Sequence, residues 1–300
     1  MEWKTKLLEQ FPQVQFHLDE AMSRHTTFKI GGPAEVYVEP AISQAVELIA
    51  YCRQEKIPYT ILGNGSNVLV SDEGLPGVVI SFGKSAAAIT LEGNGITAES
   101  GALLSQVAHA AAKAELTGLE FAAGIPGTIG GAMMMNAGAY GGEMNQVVVS
   151  ADVLLADGTR ETWSREQLQL SYRHSRMMEE EAIVLSAELE LSPGNPEEIT
   201  AVMEDFRGRR QDKQPLEYPS AGSTFKRPEG YFAGKLIMDA GLAGYQVGGA
   251  AVSEKHCGFV INRGQATARD VYQLMQDVSA KVQEQFGVTL EPEVRLLGKF

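Results

Sequence analysis

From Phe121 to Gly142 the chain runs for 22 residues without a charge, and this run holds Gly124-Ile-Pro-Gly-Thr-Ile-Gly-Gly131, Asn136-Ala-Gly138 and Gly141-Gly142. Glycine tolerates positive φ and carries no Cβ, so backbone N–H groups in such a loop can converge on an anionic ligand, typically a phosphate. A second loop of the same kind, Gly63-Asn-Gly-Ser-Asn67, lies between the apolar runs Tyr59 to Leu62 and Val68 to Val70. Two phosphate-grade loops in one half of a chain point to a dinucleotide. Arg207, Arg209, Arg210 and Lys213 add four cations within seven residues. A diphosphate would be welcome there, but cations also suit a helix C-terminus through the backbone dipole, and the two readings weigh evenly.

The familiar nucleotide signatures are missing. No Gly-x-Gly-x-x-Gly opens a helix after a strand, and Gly83-Lys84-Ser85 lacks the upstream glycine of a P-loop. Neither a His-Glu-x-x-His zinc motif, a paired Cys-x-x-Cys nor a Gly-x-Ser-x-Gly elbow occurs. Metal and acyl-transfer chemistry lose ground accordingly.

The elements that must position these loops can be read from periodicity. Ala45, Leu48, Ile49 and Cys52 mark a helix before a strand at Tyr59 to Leu62, and Val78 to Ile80 marks another strand. Ile89 to Glu99 alternates as paired short strands would. Leu104, Val107, Ala108 and Ala111 give an apolar helix face, with the helix expected to end near Leu116-Thr-Gly118. Val147 to Val149, Val153 to Leu155 and Ile183 to Leu185 read as strands, with a hairpin turn at Asp157-Gly158. Asn195, followed by Pro196 and Glu198, opens a helix whose buried stripe is expected at Ile199, Val202, Met203 and Phe206. A last helix runs from the Thr267 cap through Val271, Leu274, Met275, Val278 and Val282 to Gly287, before a closing strand at Val288 to Leu297. The expected domains are residues 1–85, 86–194 and 195–300.

With 300 residues, 44% of them hydrophobic, the chain can bury a large core. A formal charge of −13 opposes nucleic acid and anionic membranes as partners. The glycines, proline and asparagine of the uncharged run make it a poor membrane span. Cys52 and Cys257 form neither a disulfide framework nor a metal set, and Met1 to Glu9 lacks the apolar core of a secretory signal. A soluble protein of the reducing cytoplasm is expected.

Taken together, Thr26-Thr-Phe-Lys-Ile-Gly-Gly32, the two glycine loops, Ser171-Tyr-Arg173, Ala221-Gly-Ser223, Gly241-Leu-Ala-Gly244 and Glu291-Pro-Glu293 resemble, in order, the blocks of the UDP-N-acetylenolpyruvoylglucosamine reductases. The resemblance extends from about Thr26 to Leu297, in the shorter form of the family. It implies an α+β protein, with a two-subdomain FAD-binding fold of the PCMH and vanillyl-alcohol-oxidase type and a C-terminal α+β substrate-binding domain. It also implies that NADPH reduces bound FAD, which reduces UDP-N-acetylglucosamine enolpyruvate to UDP-N-acetylmuramate for peptidoglycan.

Residue by residue, the resemblance assigns FAD to Gly63, Asn64, Gly65, Ser66, Asn67, Gly124, Ile125, Pro126, Gly127, Thr128, Gly130, Gly131, Asn136, Ala137 and Gly138. Arg173 is the matched stabiliser of charge developing on the substrate carboxylate, a role suited to a guanidinium that binds through two parallel hydrogen bonds. Ser223 is the matched proton donor, and Glu293 assists around the enolate. Without the resemblance, a salt bridge at Arg173, a turn serine at Ser223 and an exposed strand carboxylate at Glu293 are the commoner readings. Lys213 is the matched substrate contact. Arg227 stands where many relatives have asparagine, and can still meet phosphate. His174 and His256 read as packing residues, and Tyr140 as a neighbour of the flavin or a packing ring. Two other functions compete on the fold that the resemblance implies: oxidation of a sugar or alcohol by the same FAD fold, and nonenzymatic binding of flavin or a UDP-sugar.

Overall fold

The computed structural model describes residues 2–300, which divide into two compact units. The first holds residues 2–18, 36–64 and 77–209; the second holds 19–35, 65–76 and 210–300. The units are therefore not consecutive stretches, and the chain changes unit inside the Gly63 to Asn67 loop, after Asn64.

The helix Ile42–Gln54 buries Ala45, Leu48, Ile49 and Cys52, the stripe expected from its spacing. These pack with Val36, Val38, Val78 and Ile80 of a four-stranded sheet. That sheet runs in the order Phe16–Ala21, Pro33–Val38, Leu75–Ser81, Tyr59–Leu62. Its last two strands are parallel, with Tyr59 opposite Val78 and Leu62 opposite Ser81. Burial pushes the Cys52 thiol up to about 11, which leaves it an inert core residue.

A five-stranded antiparallel sheet completes the first unit, in the order Arg160–Ser164, Val148–Leu154, Ile183–Glu190, Gly95–Glu99, Ile89–Glu92. The expected turn joins its first two strands, where the Asp157 carboxylate accepts from Thr159 N–H at 2.8 Å and Gly158 takes φ 92°. Behind the sheet the helix Leu104–Lys113 buries Leu104, Val107, Ala108 and Ala111. This helix ends short of the expected Leu116 to Gly118, because Leu116–Thr117 forms a strand against Ser192–Pro193.

The helix Pro196–Lys213 starts as read, with Asn195 Oδ1 accepting from Glu197 N–H at 2.8 Å and Glu198 N–H at 3.3 Å. Its expected stripe does not hold. Only Ile199 is buried, Val202 is 41% exposed, and Met203 and Phe206 are half-buried. The spacing is helical, but most of this helix has no core to face.

In the second unit the helix Ala268–Phe286 buries the whole expected series from Val271 to Val282. It closes at Gly287 with φ 66°, a left-handed cap that glycine adopts without strain. A three-stranded sheet of Gln246–Val247, Ala250–Val252 and Val260–Asn262 packs with it. The closing strand is shorter than expected: only Arg295–Leu297 is regular, lying parallel to Val68–Val70, and Val288 to Val294 is irregular because Pro292 cannot donate to a ladder.

The start of the long helix is met from two directions. Asp72 accepts from the N–H groups of Ala268 and Arg269 at 2.8 and 3.0 Å, and Asp270 accepts from Thr267 N–H at 3.0 Å. The Thr267 N–H is the main cause holding the Asp270 carboxyl below its usual range. A depressed folded-state value gives stability that is present above about pH 4, the unfolded value, and is lost as pH falls through the folded one. Asp270→Asn should therefore destabilise the protein at neutral pH by about 0.5 kcal/mol after solvent screening. In urea unfolding the gap to the parent should shrink as pH drops below about 4.

Candidate active site

Within the first unit the structure brings Gly63 and Asn64 against the long glycine loop. Asn64 Nδ2 donates to Pro126 O at 2.6 Å, and a Cβ on Gly63 would collide with Thr128 Oγ1. Thr128 begins the short helix Ile129–Met134 but does not cap it with its side chain. Its Oγ1 is buried and has no hydrogen-bond partner among the described residues. A buried hydroxyl left this way costs about 1–3 kcal/mol, which a polar ligand atom would recover.

The loop offers fewer backbone donors than its glycine content suggests. Ile129 N–H is spent on Ala102 O at 2.8 Å and Gly130 N–H on Ser100 O at 2.9 Å. Gly124, Pro126 and Gly131 remain exposed. Part of the glycine content serves close packing, since a Cβ on Gly130 would strike Ser100 Oγ.

Asn136 is committed to protein contacts. It is 1% exposed, donates through Nδ2 to Ser171 O at 3.1 Å and accepts through Oδ1 from Asn145 N–H at 2.9 Å. Those bonds tie the glycine loop to the Ser171-Tyr-Arg-His174 turn. Ser171 and His174 exchange two backbone hydrogen bonds of 3.1 Å, leaving Tyr172 and Arg173 at the tip. Arg173 holds φ 53°, is half-buried, and places its guanidinium 5.3 Å from the Tyr172 ring centroid. Below the turn, Ser175 Oγ donates to Met134 O at 2.8 Å. Arg173 is thus presented by a turn braced on the glycine loop. Tyr140 is a packing ring, stacked on Phe206 with centroids 4.4 Å apart.

In the second unit the segments that carry Ser223 and Glu293 pair through their backbones. Phe225 bridges to Pro292, Lys226 N–H donates to Glu291 O at 2.9 Å, and Glu293 N–H donates to Thr224 O at 2.8 Å. Asn67 joins them, its Nδ2 donating to Glu293 O at 3.1 Å and its carbonyl accepting from Arg295 N–H at 3.0 Å. The Ser223 hydroxyl is half-buried and makes no hydrogen bond among the described residues. Thr27 was legible only as part of a block, yet it holds two loops: its N–H donates to Gly65 O at 3.1 Å and its Oγ1 to Ser220 O at 2.6 Å. No periodicity signals such a residue, since its contacts lie in loops.

The cations differ in their commitments. Arg209 pairs with Asp205 at 2.7 Å, whereas Lys213 is exposed and forms no ion pair among the described residues. The Arg227 guanidinium lies 4.0 Å from the Phe232 ring centroid, and Phe232 is 61% exposed. His256 behaves as a packing residue: burial lowers its tendency to protonate, and Nδ1 accepts from Gly258 N–H at 3.1 Å. No helix among the described residues is long and apolar enough to cross a membrane.

Residues 34–164 match the FAD binding domain family, and residues 214–297 match the C-terminal domain of UDP-N-acetylenolpyruvoylglucosamine reductase. A protein of Agathobacter rectalis named UDP-N-acetylenolpyruvoylglucosamine reductase is 55% identical, with 97% of each chain covered. The chain belongs to the UDP-N-acetylenolpyruvoylglucosamine reductase family. A reductase of the same name from Caldanaerobacter subterraneus subsp. tengcongensis is 53% identical, covering 98% of this chain and 97% of its own. The crystal structure of the Thermus caldophilus reductase superposes with a TM-score of 0.81 at 36% identity, covering 95% of this chain and 99% of that one. As in that family, the fold is α+β, with an FAD-binding domain matched over residues 34–164 and the reductase C-terminal domain over residues 214–297, and the protein is an FAD-containing oxidoreductase.

The residues present fit the reductase family's cofactor. An orphaned hydroxyl at Thr128 beside a cradle that a Cβ on Gly63 would fill suits a polar, close-lying group such as the FAD diphosphate. Thr128→Val removes a hydroxyl that nothing in the protein satisfies. The flavin-free variant should match or exceed the parent in stability by about 1 kcal/mol, while its FAD dissociation constant rises about tenfold. Thermal unfolding of the flavin-free protein and fluorescence titration with FAD would check the two halves separately.

Proposed function

We propose that the chain reduces UDP-N-acetylglucosamine enolpyruvate to UDP-N-acetylmuramate with NADPH, supplying a precursor of peptidoglycan. Carrying this reading is the second unit's pairing of the Ser223 and Glu293 segments, where the serine hydroxyl makes no hydrogen bond among the described residues and the Glu293 N–H donates to Thr224, the residue after Ser223. The chemistry FAD supplies when bound is relay of a hydride from NADPH onto one carbon of the enolpyruvyl double bond. Gly63 to Asn67, Gly124 to Thr128, Gly130, Gly131, Ala137 and Gly138 are the residues assigned to hold it, with Asn136 bracing the loop from behind.

Hydride addition beside a carboxylate pushes negative charge into that carboxylate. Arg173 is assigned to hold it, since a guanidinium keeps its charge and offers two parallel donors where the charge develops. Ser223 is assigned to deliver a proton from Oγ to the adjacent carbon. A hydroxyl is a weak acid, but an enolate is basic enough to take its proton when the two are held in place. Glu293 supports that exchange as a neighbouring acid. Lys213 and Arg227 are assigned to the diphosphate, and the Phe232 ring under the Arg227 guanidinium limits where that cation can point.

Two half-reactions separate these roles. With NADPH added anaerobically, Ser223→Ala should lose flavin absorbance as fast as the parent. On addition of UDP-N-acetylglucosamine enolpyruvate, its absorbance should return about 10²–10⁴-fold more slowly. Parent enzyme that stays bleached after the substrate is added would remove the assigned reaction, and equal slowing of both steps in the variant would remove the role of Ser223.

A further inference from the structure

Between Ser223 and Glu293 stands a residue to which no catalytic or binding role has been assigned. Thr224 is 1% exposed, and each of its backbone and side-chain polar groups is engaged. Its N–H donates to Gly258 O at 2.8 Å, its carbonyl accepts from Glu293 N–H at 2.8 Å, and its Oγ1 accepts from Val260 N–H at 2.9 Å. Three segments far apart in sequence therefore meet on one threonine: the Ser223 segment, the Glu293 segment and the Val260–Asn262 strand. Gly258, which receives the Thr224 N–H, is itself fixed by His256, whose Nδ1 accepts its N–H at 3.1 Å. Burial lowers the tendency of that imidazole to protonate, which favours the neutral form in which Nδ1 can accept.

We propose that Thr224 is a positioning residue that sets the Ser223 hydroxyl relative to Glu293, with its own hydroxyl, not its bulk, performing the task. The inference rests on the reaction assigned above. The Oγ1 bond to Val260 N–H fixes the χ1 of a buried β-branched side chain and anchors the segment to a strand. Anchoring there holds the adjacent Ser223 in one place while the Thr224 carbonyl holds Glu293. Proton delivery to carbon needs near-attack geometry, and a displacement of about 1 Å costs about 10²-fold in rate. Flavin reduction by NADPH needs neither residue and should be insensitive.

The shape of the side chain and its hydroxyl can be tested apart. Thr224→Val keeps the branched shape and deletes the acceptor; Thr224→Ser keeps the acceptor and deletes a methyl group. In holoenzyme with parent-like flavin content, Thr224→Val should be reduced by NADPH at the parent rate and reoxidised by UDP-N-acetylglucosamine enolpyruvate about 10²-fold more slowly. Thr224→Ser should stay within about threefold of the parent in both steps, far inside that loss. A valine variant as fast as the parent, a serine variant as slow as valine, or equal slowing of both half-reactions would each overturn the proposal. Should Thr224→Val fail to retain flavin, His256→Leu removes the acceptor behind Gly258, and the same selective slowing is expected, about tenfold; its absence would overturn the proposal equally. Parent enzyme that does not turn over the substrate would instead sink the underlying reaction, an outcome distinct from a competent parent with an unaffected valine variant.

Discussion

A buried backbone polar group must find a partner, and the loop carbonyls of this protein find theirs in side chains far away in sequence. In the second unit Thr27 bonds to Ser220, Asn67 to Glu293, and Asn262, through its side chain, to Phe28 at 3.1 Å. None of these pairs lies within one element or between consecutive ones. Each ties an irregular segment to another irregular segment or to a strand end, and together they do for the loops what a ladder does for a sheet. The hydrophobic core around Val271 to Val282 supplies the bulk of the driving force, but it does not dictate where Ser223 sits. That is decided by the polar bonds, which are directional where burial is not.

The first unit uses the same principle with different chemistry. Its glycine-rich loop is pinned by Asn136 and by backbone donors committed to Ser100 and Ala102, so it is a rigid wall more than a flexible cradle. Rigidity of this kind lets a single unsatisfied hydroxyl at Thr128 stand out, since neighbouring groups cannot relax to meet it. Arg173 benefits as well, because its turn hangs from the same wall through Ser171 and Ser175.

What the sequence makes legible follows from range. The helices Ile42–Gln54 and Ala268–Phe286 announce themselves because their cores lie on one face and recur every three or four residues. The helix Pro196–Lys213 has the same spacing and a good cap, yet its apolar residues beyond Ile199 stay partly exposed, since spacing says nothing about whether a core exists opposite. The irregular stretch before Arg295 shows the opposite weighting: apolar alternation at Val288 to Val294 suggests a strand, and Pro292, which cannot donate to a ladder, leaves only Arg295–Leu297 regular. The functional loops are recognisable as blocks. Their mutual bonds are not, because Thr27 and Thr224 belong to no period and differ from ordinary threonines only in what lies across from them.

The second unit is assembled from residues 19–35, 65–76 and 210–300, so its boundaries in space are not boundaries in the gene product's linear order. A fragment beginning at residue 210 would carry the long helix but leave behind Asp72, which receives two of its first N–H groups, and also Thr27 and Asn67. This architecture therefore resists exchange by simple recombination. A substrate domain taken from a relative would have to arrive with two short upstream insertions, each matched to it, and inheritance as one indivisible piece is the simpler outcome.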